Sequence, residues 1–113
     1  MTTGRLTSRV LASSLIRLAE TEGGFGVVFA KGDPTAGAVV VCLLERGVRK
    51  LLLERLLRPD GSYAWQDTGR ADAEEADFQA RVARRRRIDP DLWLVELDVK
   101  SAEAFAARMN EAA

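Results

Sequence analysis

Apolar residues recur along this chain in two rhythms, and the places where one gives way to the other divide it into elements. From Thr7 to Glu22, Val10, Leu11, Leu15 and Leu18 fall three or four apart, the stripe of an amphipathic helix. Thr7 or Ser8 is placed to cap its start and Gly23-Gly24 to stop it. Phe25 to Ala30 then reads as a short strand, Lys31 to Gly37 as a connecting loop, and Ala38 to Glu45 as a second strand. So short a link favours an antiparallel hairpin of these two strands, because parallel neighbours need a longer crossover. Glu45-Arg46-Gly47 turns the chain into a third strand from Val48 to about Leu57, and Arg58-Pro59-Asp60-Gly61 turns it again. Ser62 to Asp67 follows as a fourth strand with Tyr63 and Trp65 on one face, which predicts a meander of up to four strands.

The second half is built differently. Asp72 with Glu75 three residues on forms a capping-box pattern opening a helix to about Arg87. Its apolar stripe is thin, Phe78 and Val82 helped by Ala76, Ala80 and Ala83. Asp89-Pro90-Asp91 ends that helix, since Pro90 has no amide donor and turns Asp89 away from helical angles. Leu92 to Val99 alternates, with Trp93, Val95 and Leu97 on one face and Leu92, Leu94, Glu96 and Asp98 on the other. Ser101 caps a last helix carrying Phe105 and Met109 four apart. The expected architecture is α+β: a mainly antiparallel four- to five-stranded sheet with three helices, in the order α-β-β-β-β-α-β-α, as a single domain over residues 1–113. The second and third strands are apolar on both faces, so both faces need cover. Three short helices would cover one face and part of the other, the remainder being closed by a helix wrapping round or by a second chain, and a homodimer is the expected assembly.

Composition narrows the chemistry. There is no His in the chain, which removes the commonest general base and zinc ligand and leaves no Ser-His-Asp or Cys-His pairing. The lone Cys42 lies in an apolar run and reads as a small buried hydrophobe. Lys+Arg 17 against Asp+Glu 17 argues against a general nucleic-acid binder, whose affinity rests on surplus positive charge. The longest apolar run, Ala38 to Leu44, is far short of the roughly 20 residues that span a membrane. With no signal-like apolar segment near Met1, the expected location is the cytoplasm. No cofactor or metal site is expected.

Two stretches carry candidate chemistry. The loop Lys31-Gly32-Asp33-Pro34-Thr35-Ala36-Gly37 brings together a cation, a carboxylate, a hydroxyl and two glycines. Its Lys31, Gly32, Asp33, Thr35 and Gly37 form a candidate anion site, although Asp33-Pro34 and Gly37 equally suit a plain connection. On the helix after Asp72, Arg81, Arg84 and Arg85 make a candidate partner-binding stripe, with Trp93 as a candidate aromatic contact. The same arginines also suit the helix dipole, with acidic residues at its start and basic ones at its end. Consecutive Arg84-Arg85-Arg86-Arg87 step by about 100° each and share no face. Glu96 with Asp98, and Asp89 with Asp91, are the acidic pairs that a carboxylate-dependent enzyme would use.

Gly24-Phe25-Gly26-Val27-Val28, Lys31-Gly32-Asp33, Ala36-Gly37-Ala38 and Arg87-Ile88-Asp89-Pro90-Asp91-Leu92-Trp93-Leu94-Val95-Glu96 occur in this order. Together they resemble the small alphaproteobacterial proteins grouped as domain-of-unknown-function family 1491, over Thr7 to about Asp98. The resemblance implies a bacterial, cytoplasmic, single-domain protein of about this length and brings no catalytic residues with it. The functional expectation is a non-catalytic interaction module, homodimeric, binding a protein partner or a small anionic ligand. A nucleic-acid-associated protein using the arginine stripe and a carboxylate-dependent enzyme are the alternatives.

Overall fold

The first apolar stripe folds as helix α1, Ser8–Thr21, in a computed structural model that describes residues 6–71 and 74–112. Thr7 is its extended N-cap, and the Thr7 hydroxyl accepts from the Val10 amide at 3.3 Å. The buried side of α1 is Ser8, Ala12, Leu15 and Ala19, with Leu11, Ile16 and Leu18 packed alongside. Val10, expected in the stripe, is exposed. The two alanines take the sheet-facing positions, because a small side chain lets the helix backbone sit close to the strands.

The remaining elements are β1 (Phe25–Ala30), β2 (Val39–Glu45), β3 (Val48–Leu57), β4 (Tyr63–Asp67), α2 (Glu75–Ile88), β5 (Trp93–Asp98) and α3 (Ala102–Ala112). The fold is α+β, with the element order that periodicity predicts. Asp72, the predicted capping residue of α2, lies outside the described residues. Glu74 holds the N-cap position without a side-chain hydrogen bond.

The sheet order β1-β5-β2-β3-β4 corrects the expected hairpin. β1 and β2 do not pair, and the meander is β2-β3-β4 alone. β5 lies between them, antiparallel to β1 from Phe25↔Asp98 to Val28↔Val95 and parallel to β2 from Val39↔Trp93 to Leu44↔Asp98. The link over residues 31–38 therefore spans two strand spacings, roughly 10 Å, which it reaches easily. The gain is burial: Trp93, Val95 and Leu97 make one face of β5 wholly apolar and Leu94 adds to the other, and the sheet centre is where such residues lose most contact with water.

α1 and α3 cover one face, over Val41, Leu43, Val95 and Leu97, with Phe105 and Met109 of α3 buried against them. α2 covers the other, where Phe78 packs with Val40, Cys42, Leu52, Leu92 and Leu94. Helices of the same chain thus cover both faces of the central strands.

The position of β5 depends on a close approach just before its first residue. The Asp91 carbonyl oxygen would lie 2.0 Å from a Cβ at Gly32 and 1.9 Å from one at Gly37, and it accepts the Asp33 amide at 3.0 Å. Backbone atoms on both sides of that contact cannot give way as a flexible side chain would. Gly32→Ala and Gly37→Ala should each lower unfolding free energy by about 3 kcal/mol or more, as read from the denaturant midpoint. A loss under about 1 kcal/mol for both would contradict this packing.

Candidate functional site

The loop from Lys31 to Gly37 docks on the start of α1. The Ser8 and Arg9 amides donate to the Thr35 and Pro34 carbonyls at 3.1 and 3.0 Å, and the Ser8 hydroxyl donates to the Gly37 carbonyl. Asp33 Oδ2 accepts the Thr35 and Ala36 amides at 3.0 and 2.9 Å. These amides and the helix start therefore serve each other. Lys31 is exposed, and its carbonyl accepts from Arg86 Nη2 at 2.7 Å. Trp93 is only 2% exposed and packs in the core, its Nε1 donating to the Asp33 carbonyl at 2.7 Å.

The arginines of α2 diverge, as helical geometry requires. Arg84 and Arg87 are exposed. Arg86 reaches back to Lys31, and Arg85 pairs with Glu54 of β3 at 2.8 Å. Near its start, α2 is held by Arg49 of β3, which pairs with Glu75, stacks 4.0 Å from the Phe78 ring centroid and donates to the Ala71 carbonyl. The hydrogen bonds from Arg49 and Gln79 keep the Glu75 carboxyl below its ordinary range.

Between these polar attachments α2 has little apolar surface to bury: Phe78 is its one buried residue and Val82 is half-buried. A pocket of about 170 Å³ consequently opens between α2 and the sheet. Val40, Leu52, Phe78, Val82, Leu92 and Leu94 make its apolar walls. Its polar lining is Thr68, Arg70, Arg81, Arg85 and Glu54. The Thr68 hydroxyl is buried without a hydrogen-bond partner, and neither Arg70 nor Arg81 has an ion pair among the described residues. The thin stripe of α2 signals loose cover in the sequence, but nothing local indicates that Thr68 and Arg70 join the same pocket.

The two edges of the sheet are treated differently. At β4, Asn110 of α3 acts as a substitute strand: its Oδ1 accepts the Trp65 amide at 2.7 Å and its Nδ2 donates to the Trp65 carbonyl at 3.2 Å. At β1, the outward backbone groups meet no partner among the described residues. Phe25, Val27, Val28 and Phe29 are 60, 48, 42 and 50% exposed, and Phe25-Gly26-Val27-Val28-Phe29-Ala30 contains no charge.

Most of the candidate reactive groups are committed elsewhere. Burial, reinforced by the nearby Glu96 carboxylate, pushes the Cys42 thiol up to about 12, so it stays protonated. Asp98 accepts the Arg46 and Gly47 amides in the β2–β3 turn, and Asp89 accepts the Asp91 amide. Among the described residues no cluster of acidic or sulfur ligands could hold a metal, and no helix is long and apolar enough to cross a membrane. Glu96, half-buried beside Val27 and Cys42, is raised above its ordinary range by desolvation, which Arg49 partly offsets and Glu75 reinforces.

Three helices on a five-stranded mixed sheet, with one capped edge and one bare edge, define a small α+β domain with a partly covered face. The chain belongs to the family described as "Protein of unknown function (DUF1491)", whose model matches residues 6–107. It is similar to a DUF1491 family protein from Caulobacter crescentus CB15, known as a crystal structure at 36% identity and TM-score 0.76, covering 89% of this chain and 94% of that one. An NMR structure of a DUF1491 family protein from the same organism matches at 37% identity and TM-score 0.71, covering 90% and 94%. A solution structure of a protein from A. tumefaciens matches at 28% identity and TM-score 0.69, covering 90% and 92%. No curated protein matches the chain.

The raised carboxyl of Glu96 has a definite sign. An acid whose folded pKa exceeds its unfolded value costs stability when ionised, and the cost disappears as pH falls through the folded pKa to the ordinary value of 4.5. Glu96→Gln should raise the melting temperature at about pH 7 and give no gain below about pH 4. An equal gain at both pH values would assign the effect to packing.

Proposed function

We propose that this chain is a non-catalytic, cytoplasmic interaction module that pairs with a second copy of itself through β1. The observation that carries this reading is the contrast between edges: the fold covers β4 with Asn110 and leaves β1 bare, apolar and without charge. Protein sheets ordinarily protect an exposed edge with charge, proline or a covering segment, since its free amides and carbonyls recruit another strand. β1 has no charge, proline or covering segment, its one irregularity being a register shift between Val28 and Ala30, and its six residues have the composition that pairs readily with a like segment. Two copies related by a twofold axis would pair their β1 strands antiparallel, so that each edge supplies the hydrogen bonds the other lacks. Phe25, Val27, Val28 and Phe29 would then lie along the junction.

The non-catalytic part of the reading draws on the absence of His from the chain, a thiol held protonated by burial, and Asp33 and Asp98 carboxylates engaged in turns.

Sedimentation velocity of the full chain should give twice 12.4 kDa at about 100 μM. Val27→Lys and Val28→Lys place charge on the two faces of the junction. Each should shift the species to 12.4 kDa with the thermal transition retained, since exposed substitutions usually change stability by only about 0.5 kcal/mol. A wild-type monomer at that concentration, or a dimer indifferent to both lysines, would overturn the reading.

A further inference from the structure

The pocket beneath α2 is separate from the β1 edge, and its composition selects a ligand. Its apolar walls include Phe78 and Leu94, each 2% exposed, while its polar lining holds three arginines against the single carboxylate of Glu54. Arg85 and Glu54 pair with each other, leaving the positive charge of Arg81 and Arg70 unmatched by an ion pair among the described residues. Thr68, whose sealed hydroxyl has no hydrogen-bond partner among the described residues, also lines this space. Leaving a buried polar group unpaired is costly, and half-buried Arg81 is only partly able to compensate its charge with water.

We propose that this pocket binds a small amphiphilic monocarboxylate. The carboxylate lies against Arg81, which can grip it through two parallel hydrogen bonds. Arg70 adds charge at the rim. The apolar body enters between Phe78, Val82 and Leu52. Size sets the class: an apolar cavity of about 150 Å³ accommodates benzene, so about 170 Å³ suits one aromatic ring or a chain of roughly six to eight carbons. A bare phosphate would satisfy the arginines and leave the apolar walls empty. A neutral alcohol of the same length would do the reverse.

Isothermal titration of the full chain with octanoate and with benzoate tests this, against octan-1-ol, benzyl alcohol and inorganic phosphate. At least one carboxylate should bind with a Kd of about 0.1 mM, and its matched alcohol and phosphate should be about tenfold weaker or worse. Arg81→Gln should weaken the carboxylate about tenfold while leaving the alcohol unchanged, a split that a merely destabilised fold would not produce. Val82→Phe, which fills the pocket, should abolish binding with the melting transition retained. No carboxylate binding up to about 5 mM overturns the proposal, as does equal binding of the alcohols or equal binding of phosphate.

Discussion

The structure depends on the seating of β5 between β1 and β2, and that seating depends on a backbone contact with no room for a side chain. The Asp91 carbonyl lies against Gly32 and Gly37, while the Trp93 indole bonds to Asp33 in the same loop. The β1–β2 link is thereby fastened at two points to the entry of the strand it passes. Its remaining bonds go to the first turn of α1, so helix, link and central strand form one joint. This explains why a loop with the composition of an anion site uses its amides within the fold. Asp33 takes the Thr35 and Ala36 amides, and the Thr35 and Pro34 carbonyls take those of Ser8 and Arg9.

How much of this is legible in the sequence follows from where each determinant lies. The helices and strands emerge from periodicity because a hydrophobic stripe is a local property, and the bounds of β1 and β3 coincide with the expected ones. The partner of β1 is a different kind of fact. A short link makes a hairpin the local expectation, whereas the actual neighbour arrives from residues 93–98 and wins because Trp93, Leu94, Val95 and Leu97 bury most surface at the sheet centre. The fusion of Gly32, Gly37 and Asp91 into one contact is equally non-local, although all three positions stand out as turn residues. Asn110 gives no sequence signal at all: an amide on the last helix looks like a solvated residue until β4 is placed beside it.

Cover is uneven on this sheet, and both candidate surfaces are consequences of that. α1 and α3 carry well-spaced apolar residues and close their face over Val41, Leu43, Val95 and Leu97. α2 is a charged helix with Phe78 as its one buried residue, so it is held largely by Arg49 near one end and by Arg85 and Arg86 near the other. A helix attached in this way bridges the sheet more than it packs on it, which leaves the pocket between Phe78 and Val82 and the strands below. The arginine run then has two uses that a reading by charge alone would merge. Arg85 and Arg86 are structural ties to Glu54 and Lys31, and Arg81 is left facing the pocket without an ion-pair partner among the described residues.

Glu96 connects the covered and uncovered parts of the same face. On β5 it stands between Cys42 of β2, which is sealed, and Val27 of β1, which is exposed. Its carboxyl is raised because neighbouring strands remove water from it, while Arg49 is engaged with Glu75 and only partly compensates. A second β1 laid against the edge would remove further water from Val27, whose side chain already borders Glu96. Ionised Glu96 would then cost more in the pair than in the single chain, so in the proposed dimer the same desolvation would couple pairing to pH, with association favoured when the carboxyl is neutral.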